Sequence, residues 1–169
     1  NLMTLARSDE DFLPVYTEPV DITALCKKVA SQMSLLAAEK KLQLKQAIGD
    51  NLVMQGDEMA LSRLLIILLD NAMKYSPEQT TITLRAAKVK THLVLEVRDV
   101  GCGISDDDKQ KIFDRFFRVD KARSRSQGGL GLGLSLALEI VRQHGGSIKV
   151  LDNEPQGTIM YVQLPTTAK

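Results

Sequence analysis

The 169-residue sequence has few of the residues that bind metals, form disulfides or cross membranes. It contains no tryptophan, two cysteines (Cys26 and Cys102) and two histidines (His92 and His144), with no metal-ligand spacing among them. We therefore expect reduced thiols in a cytoplasmic setting and no metal held by protein ligands alone. The longest apolar runs, such as 64–69, are far shorter than the roughly 20 residues that a membrane-spanning helix needs. No signal-peptide pattern opens the sequence, so we expect no such leader.

The sequence also lacks an excess of charge of either sign. Its 22 Lys and Arg residues are balanced by 21 Asp and Glu residues, for a formal net charge of +1 at pH 7. A near-neutral chain is a poor candidate for bulk electrostatic binding to nucleic acid or to an anionic membrane. With 44% hydrophobic and 25% charged residues, the composition is that of an ordinary globular domain that can bury a core.

Apolar residues recur at helical spacing in three long segments and alternate with polar residues in several shorter ones. The helices are predicted over 21–37, with Asp21 as cap, over 57–75, ending before Ser76-Pro77, and over 132–144, ending at two glycines. Strands are predicted over 15–20, 42–48, 80–88, 93–98, 147–151 and 158–164, with a short helix over 106–113 and a mobile loop over 115–129. This order predicts an α/β (α+β) two-layer sandwich, with about three longer helices on one face of a mixed sheet of about five strands.

Three clusters of polar or glycine residues interrupt the apolar pattern. In the first, Asn71, Lys74 and Tyr75 share one face of the second long helix, because Lys74 and Tyr75 follow Asn71 at helical spacing. An amide oxygen can ligate a hard cation such as magnesium, an ammonium group can meet phosphate, and an aromatic ring can cover a base. The alternative for Asn71 is a partly buried side chain that hydrogen-bonds to the backbone near the helix end.

The other two clusters are rich in glycine. Asp99–Gly103, with the sequence DVGCG, follows a predicted strand, so that a ligand can approach the backbone beside a carboxylate; an ordinary acidic turn is the alternative. Gly128–Gly133, with the sequence GGLGLG, opens a helix whose free amides and dipole favour an anion such as phosphate. It matches neither a dinucleotide fingerprint nor a Walker loop, and a flexible hinge is the alternative.

These motifs, in this order and at this spacing, resemble those of the ATP-binding catalytic domain of sensor histidine kinases. That family is part of the superfamily that includes gyrase, heat-shock chaperone and mismatch-repair ATPases. LLDNAMKYSP resembles its N box, DVGCGI its first glycine box, IFDRFFR its F box and GGLGLGLSLALEIV its second glycine box. EPQGTIMYVQLP resembles its closing strand pair, so the resemblance covers residues 14–166. It implies a Bergerat-type ATP site closed by a mobile lid.

The resemblance implies a role for each residue of the clusters. Asn71 is the expected ligand of a magnesium ion that bridges the ATP phosphates, Lys74 the expected partner of a phosphate and Tyr75 a contact of the nucleotide. Asp99 is expected to accept a hydrogen bond from the adenine amino group. The other adenine-pocket residues would be Gly101, Gly103, Ile104 and Thr158. The residues of the lid and the phosphate site would be Arg118, Arg123, Gly129, Leu130, Gly131, Leu132 and Gly133. Catalysis would use Asn71, Lys74 and the two lid arginines.

Two positions depart from the family pattern. Ile67 stands one turn before Asn71, where the N box usually has a second asparagine and where hydrolysing ATPases keep a glutamate. An isoleucine cannot act as a general base, which disfavours hydrolysis as the main reaction. Leu130 replaces a small hydroxyl residue that is frequent in the second glycine box. Two alternatives to a kinase therefore stay open: a hydrolysing ATPase, and a nucleotide-sensing module that binds ATP without transfer.

The acceptor histidine of such kinases is expected upstream, because neither His92 nor His144 stands in the acidic motif that surrounds it. We expect His92 on the sheet surface and His144 as a helix cap favoured by the dipole. NLMTLAR resembles the end of the upstream dimerisation hairpin, so residues 1–13 are assigned to that hairpin and its linker and 14–169 to the ATP-binding catalytic domain. The implied partners are ATP, that hairpin and a response regulator. We expect a monomer for this chain and a homodimer for the intact kinase, which in many members is anchored in the membrane.

Overall fold

The structure, a computed structural model, describes residues 17–109, 111–114 and 133–166. Its helices are α1 (Ile22–Glu39), α2 (Glu58–Tyr75) and α3 (Gly133–Gln143), with a turn of 3₁₀-helix at Lys111–Phe113. Its strands are β1 (Glu18–Asp21), β2 (Gln43–Ile48), β3 (Val53–Gly56), β4 (Thr81–Val89), β5 (His92–Arg98), β6 (Ser147–Asp152) and β7 (Thr158–Pro165). The predicted hairpin end at 1–13 and the predicted mobile loop at 115–129 lie outside the described residues.

Five strands form one mixed sheet in the order β2-β4-β5-β7-β6. The β2–β4 pair is parallel and the other neighbouring strands are antiparallel. The central helix, α2, contacts α1 and α3 as well as β4 and β5. The predicted sandwich of three helices and a mixed five-stranded sheet is therefore confirmed. None of the described helices is long and apolar enough to cross a membrane.

Two short segments differ from the prediction. The sequence does not predict β3, because four residues are too few for alternation to stand out and its partner in a separate two-stranded sheet, β1, is distant in the chain. The predicted helix over 106–113 is wrong, since 106–109 form turns and only Lys111–Phe113 is helical. Ile112 is the only fully buried residue among those described in this segment, so no apolar face holds a longer helix against the core.

The ends of α2 follow from local signals, and its centre forms the middle of the core. The carboxylate of Asp57 accepts a hydrogen bond from the N–H of Ala60 at 3.2 Å, which caps the start of the helix. The helix ends at Tyr75 because Ser76 has an extended backbone ahead of Pro77. The fully buried leucines of α2 are Leu61, Leu64, Leu65, Leu68 and Leu69. Each contributes about 1.5–3 kcal/mol by its burial, so α2 makes a large contribution to the stability of the core.

Both cysteines are free thiols, but their surroundings differ. Cys26 lies buried on α1, and burial raises the pKa of its thiol to about 12. It therefore stays protonated and unreactive. Cys102 is exposed within the DVGCGI motif.

His144, directly after α3, joins the end of this helix to the start of α2. Its Nε2 accepts a hydrogen bond from the backbone N–H of Asp57 at 3.0 Å, and its Nδ1 lies 2.8 Å from the backbone oxygen of Ile140. A backbone N–H only donates and a carbonyl only accepts, which assigns the neutral ring with its proton on Nδ1. The predicted cap is therefore present, but as a neutral bridge between two helices rather than as a cation on the helix dipole.

His144→Ala should lower the free energy of unfolding by about 2–3 kcal/mol, because it leaves the N–H of Asp57 without its partner in a partly buried position. The matched control is His92→Ala, at an exposed position of β5. This variant should change the free energy of unfolding by less than about 0.5 kcal/mol. Urea denaturation at neutral pH measures both values. A loss for His144→Ala no larger than that for His92→Ala would contradict the bridging role.

Candidate functional site

The predicted motifs meet where the end of α2, the end of β5 and the start of β7 come together. Gly101 is packed closely, because a Cβ atom there would lie 2.5 Å from the backbone oxygen of Tyr75 and 3.3 Å from Oδ1 of Asp99. Real Cβ atoms do not approach a backbone oxygen so closely, so only glycine fits. The first glycine box and the end of the N box therefore touch through their backbones.

Asp99 follows the last residue of β5 and is buried, with 8% of its surface exposed. Its Oδ1 accepts hydrogen bonds from the backbone N–H groups of Gly101 (2.9 Å) and Thr158 (3.2 Å). No described residue donates a hydrogen bond to Oδ2. Burial raises the pKa of this carboxyl above its ordinary value of 3.8, while the two backbone N–H groups act to lower it. One oxygen therefore fixes the group, and the other can accept a hydrogen bond from a ligand.

Two further glycines shape the wall beside Asp99. Gly157, just before β7, has a φ of +112° and approaches so closely that a Cβ atom would overlap the Asp99 backbone oxygen. Gly103 has a φ of +81°, and its Cβ position is 3.6 Å from the backbone oxygen of Gly157. Ile104, the next residue, is partly buried against the core, and Thr158 is buried beside Asp99. The structure thus gathers the predicted adenine-pocket residues around one carboxylate.

Asn71 and Lys74 lie near the end of α2, within one turn of Tyr75. Asn71 is half-buried, and its amide oxygen is a hard ligand. The ammonium group of Lys74 lies 3.4 Å from Oδ2 of Asp70 in a partly exposed ion pair. Among the described residues, no group of three or more His, Cys, Asp or Glu side chains gathers as a metal site. These residues therefore fit a magnesium ion that takes one ligand from Asn71 and the others from phosphates and water.

The start of α3 lies against α2 one turn before Asn71. The Cβ position of Gly133 is 3.5 Å from Cγ2 of Ile67. Ile67, which stands where the N box usually has a second asparagine, therefore contacts the first residue of α3. Gly133 is the one predicted phosphate-binding glycine within the described ranges. The other predicted lid and phosphate-site residues lie outside those ranges: Arg118, Arg123, Gly129, Leu130, Gly131 and Leu132. Their roles stay predictions.

Two side chains beside Asp99 are missing from the sequence predictions. In the turn after β6, Asn153 donates through Nδ2 to the backbone oxygen of Asp99 at 2.8 Å. Gln156 donates through Nε2 to the backbone oxygen of Val100 at 3.0 Å. Polar residues are common in any turn, and nothing in their spacing indicates acceptors 54 and 56 residues earlier.

These observations define a class of protein. A three-helix layer on a mixed sheet holds a buried aspartate with a free acceptor oxygen, and a helix that carries an amide and an ammonium group ends beside it. Such a combination suits a ligand that carries both a hydrogen-bond donor and an anionic group. Residues 56–168 match the family model for histidine kinase-, DNA gyrase B- and HSP90-like ATPases. The chain therefore belongs to that family.

Within this family, the chain is similar to sensor histidine kinases. It is 40% identical to the sensor protein CiaH of Streptococcus pneumoniae serotype 4, over 97% of this chain and 36% of that protein. The structure of the mycobacterial sensor histidine kinase MprB is similar with a TM-score of 0.78 and 29% identity, over 90% of this chain and 99% of that one. The structure of full-length ShkA in complex with AMPPNP is similar with a TM-score of 0.82 and 27% identity, over 97% of this chain and 34% of that one. The chain spans about a third of the length of the curated relatives it matches.

Asp99→Asn is expected to keep the fold and to change how stability depends on pH. The variant keeps an oxygen for the two backbone donors and removes a buried charge. Because the pKa of Asp99 is raised in the folded chain, the folded state holds its proton to a higher pH than the unfolded state does. Relative to the variant, the wild type should therefore lose free energy of unfolding as pH rises from 3.8 through the raised value, and then level off.

Urea denaturation of the wild type and Asp99→Asn across this pH range measures the difference between them. A wild type that gains stability over the variant as pH rises would contradict the raised pKa.

Proposed function

We propose that this chain is the catalytic domain of a two-component sensor histidine kinase. It binds Mg-ATP and transfers the γ-phosphoryl group to a histidine on the upstream dimerisation hairpin, from which the group passes to a response regulator. Asp99 carries the proposal, as a buried carboxylate with one oxygen held by two backbone N–H groups and the other without a donor among the described residues. The family membership and the sensor-kinase relatives support it.

Asp99 selects adenine in this proposal. Its Oδ2 is an acceptor, and adenine presents an amino group where guanine and hypoxanthine present an oxygen. A hydrogen bond to a charged group contributes about 1.5–3 kcal/mol, or about 10- to 150-fold in affinity. Thr158, Gly101, Gly103 and Ile104 complete the adenine pocket. The hydrogen bonds to Oδ1 hold the carboxylate in place before the base arrives, so binding does not have to order it.

Positioning and charge neutralisation carry the transfer. Asn71 holds the magnesium ion, which when bound neutralises charge on the ATP phosphates. Lys74 leaves its partly exposed ion pair with Asp70 and pairs with a phosphate instead. Because such an ion pair contributes less than about 1 kcal/mol to stability, breaking it costs little. The backbone amides at the start of α3 bind phosphate, and Arg118 and Arg123 of the lid add positive charge.

A hydrolysing ATPase is a less favoured candidate. The side chain of Ile67 packs against the start of α3 and offers no base to activate water. Asp70 is paired with Lys74 and points about 100° around the helix from Asn71, so it does not replace the missing glutamate. A sensing module that binds ATP without transfer is the third candidate, and phosphotransfer separates it from a kinase.

The rest of the intact kinase follows from the same proposal. Residues 1–13 end the dimerisation hairpin and its linker, and 14–169 form the ATP-binding domain. The hairpin supplies the acceptor histidine and the dimer contacts, so this chain alone is monomeric and the intact kinase is a homodimer. The domain works in the cytoplasm.

Asp99→Ala should weaken binding of ADP to this chain at least about tenfold, because it removes the acceptor for the adenine amino group. Asp50→Ala, at an exposed position between β2 and β3, is the matched control and should bind like the wild type. Isothermal titration calorimetry on variants with a native circular dichroism spectrum gives the three affinities. Equal affinity for Asp99→Ala and the wild type would remove Asp99 from the site.

Asn71→Ala, in a chain extended upstream to include the hairpin, should abolish phosphotransfer and leave metal-free nucleotide binding measurable. The amide oxygen is the one protein ligand that this proposal gives to the magnesium ion. Asp70→Asn, the neighbouring residue, should keep transfer within about twofold because it loses only a partly exposed ion pair. Labelling with ATP that carries a radioactive γ-phosphate measures transfer.

Three other outcomes would contradict this assignment. Transfer by Asn71→Ala at the wild-type rate would remove Asn71 from the mechanism. Steady phosphate release by the wild type without labelled protein would favour a hydrolysing ATPase. Nucleotide binding with neither transfer nor release would favour the sensing module.

A further inference from the structure

The turn between β6 and β7 holds the backbone on which Asp99 sits. The Asn153 and Gln156 side chains donate to the backbone oxygens of Asp99 and Val100, both beyond the end of β5. Asp99 and Thr158 make the last backbone pair between these segments: the N–H of Asp99 donates to the backbone oxygen of Thr158 at 2.9 Å, and the N–H of Thr158 lies at a longer 3.3 Å from the Asp99 backbone oxygen. The Asn153 amide is closer to the same oxygen, at 2.8 Å. Side-chain amides thus continue the hydrogen bonding where the strand ladder ends.

The turn that carries these donors is itself well fixed. Oδ1 of Asn153 accepts a hydrogen bond from the N–H of Glu154 at 2.9 Å, and the N–H of Asn153 donates to the backbone oxygen of Gly157 at 3.1 Å. Gly157 then lies against the Asp99 backbone with no room for a side chain. The side chain of Asn153 is partly buried, so water competes little for its amide.

A bridging lysine ties the start of this turn to the loop after the first glycine box. Nζ of Lys109 lies 2.8 Å from Oδ1 of Asp152 and 2.6 Å from Oδ1 of Asp106. The hydrogen bond that Lys109 donates lowers the pKa of Asp106, and the hydrogen bonds that Lys109 donates to both carboxylates raise its own pKa. The Lys109 bridge therefore joins the two loops.

We propose that Asn153 is a positioning residue for the adenine-binding carboxylate of Asp99. This inference rests on the proposed function, in which Asp99 selects adenine. A buried carboxylate would be better hydrated if it swung out into water, and its two hydrogen bonds hold it only while the Asp99 backbone stays in place. The Nδ2 donor of Asn153 fixes that backbone, and Gln156 fixes the next peptide. The turn thereby sets the direction of Oδ2 and the discrimination between adenine and hypoxanthine.

The two polar atoms of the Asn153 side chain separate this role from a local one. Oδ1 shapes the turn through the N–H of Glu154, whereas Nδ2 reaches Asp99. Asn153→Asp keeps an acceptor for the turn and places an oxygen against the Asp99 carbonyl, while Asn153→Ala removes both atoms. A purely turn-forming residue would tolerate the change to aspartate. A positioning residue would not.

The test measures the affinity of the 169-residue chain for ADP and for IDP by isothermal titration calorimetry. Adenine carries an amino group where hypoxanthine carries an oxygen, and the two ligands are otherwise nearly alike. A charge added at Asn153 therefore weakens the binding of both to the same extent, and its effect cancels in the ratio of the two affinities. Both Asn153 variants should lower the preference for ADP about 3- to 10-fold, as expected for one hydrogen bond. Gln156→Ala should lower it by a smaller factor, and Gln32→Ala, at an exposed position of α1, should leave it unchanged.

Several outcomes would overturn the inference. If both Asn153 variants prefer ADP to IDP as strongly as the wild type does, Asn153 does not position Asp99. If Asn153→Ala loses this preference but Asn153→Asp keeps it, Asn153 only forms the turn. If Asn153→Ala does not fold, Asn153→Asp and Gln156→Ala decide. A wild type that binds neither nucleotide overturns the proposed function together with this inference, whereas variants that match an ADP-selective wild type overturn this inference alone.

Discussion

The close contact of three backbone segments around Asp99 determines how the layers of this domain meet. Gly101 leaves no room for a Cβ atom against the Tyr75 backbone oxygen, and Gly157 leaves none against that of Asp99. The end of α2, the end of β5 and the start of β7 therefore approach one another backbone to backbone at these two glycines. A methyl group at either glycine would push a helix or a strand away from its neighbour, because a packed interior has no free volume to receive it.

This backbone contact places a carboxylate where the fold does not favour its charge. Burial penalises the ionised form of Asp99, and the hydrogen bonds from Gly101 and Thr158 offset only part of that penalty, since the pKa is still raised. A donor from the ligand to Oδ2 would favour the ionised form further. The ionised carboxylate of Asp99 therefore lowers the stability of the free domain and raises its affinity for a base that carries an amino group. Such a conflict between stability and function is common at functional sites.

Features that depend on neighbouring residues were predictable from the sequence, and those that depend on distant ones were not. The cap at Asp57 and the proline after Ser76 mark the ends of α2, and the glycine motifs indicate places where the backbone can be approached closely. The bond from Asn153 to Asp99 joins residues 54 apart, and that from His144 to Asp57 joins residues 87 apart. An asparagine in a turn or a histidine after a helix fits many partners, so only the tertiary structure identifies the right one.

Contacts with the α2 segment hold both ends of α3 in place. Ile67 of α2 lies against Gly133 at the start of α3, and His144, after the end of α3, accepts the N–H of Asp57 ahead of α2. α3 therefore cannot slide along α2 without breaking that bond or separating the Ile67 contact. Since Asn71 is one turn from Ile67, the proposed metal ligand lies near the start of α3. An isoleucine at this position supplies packing between the two helices and no general base.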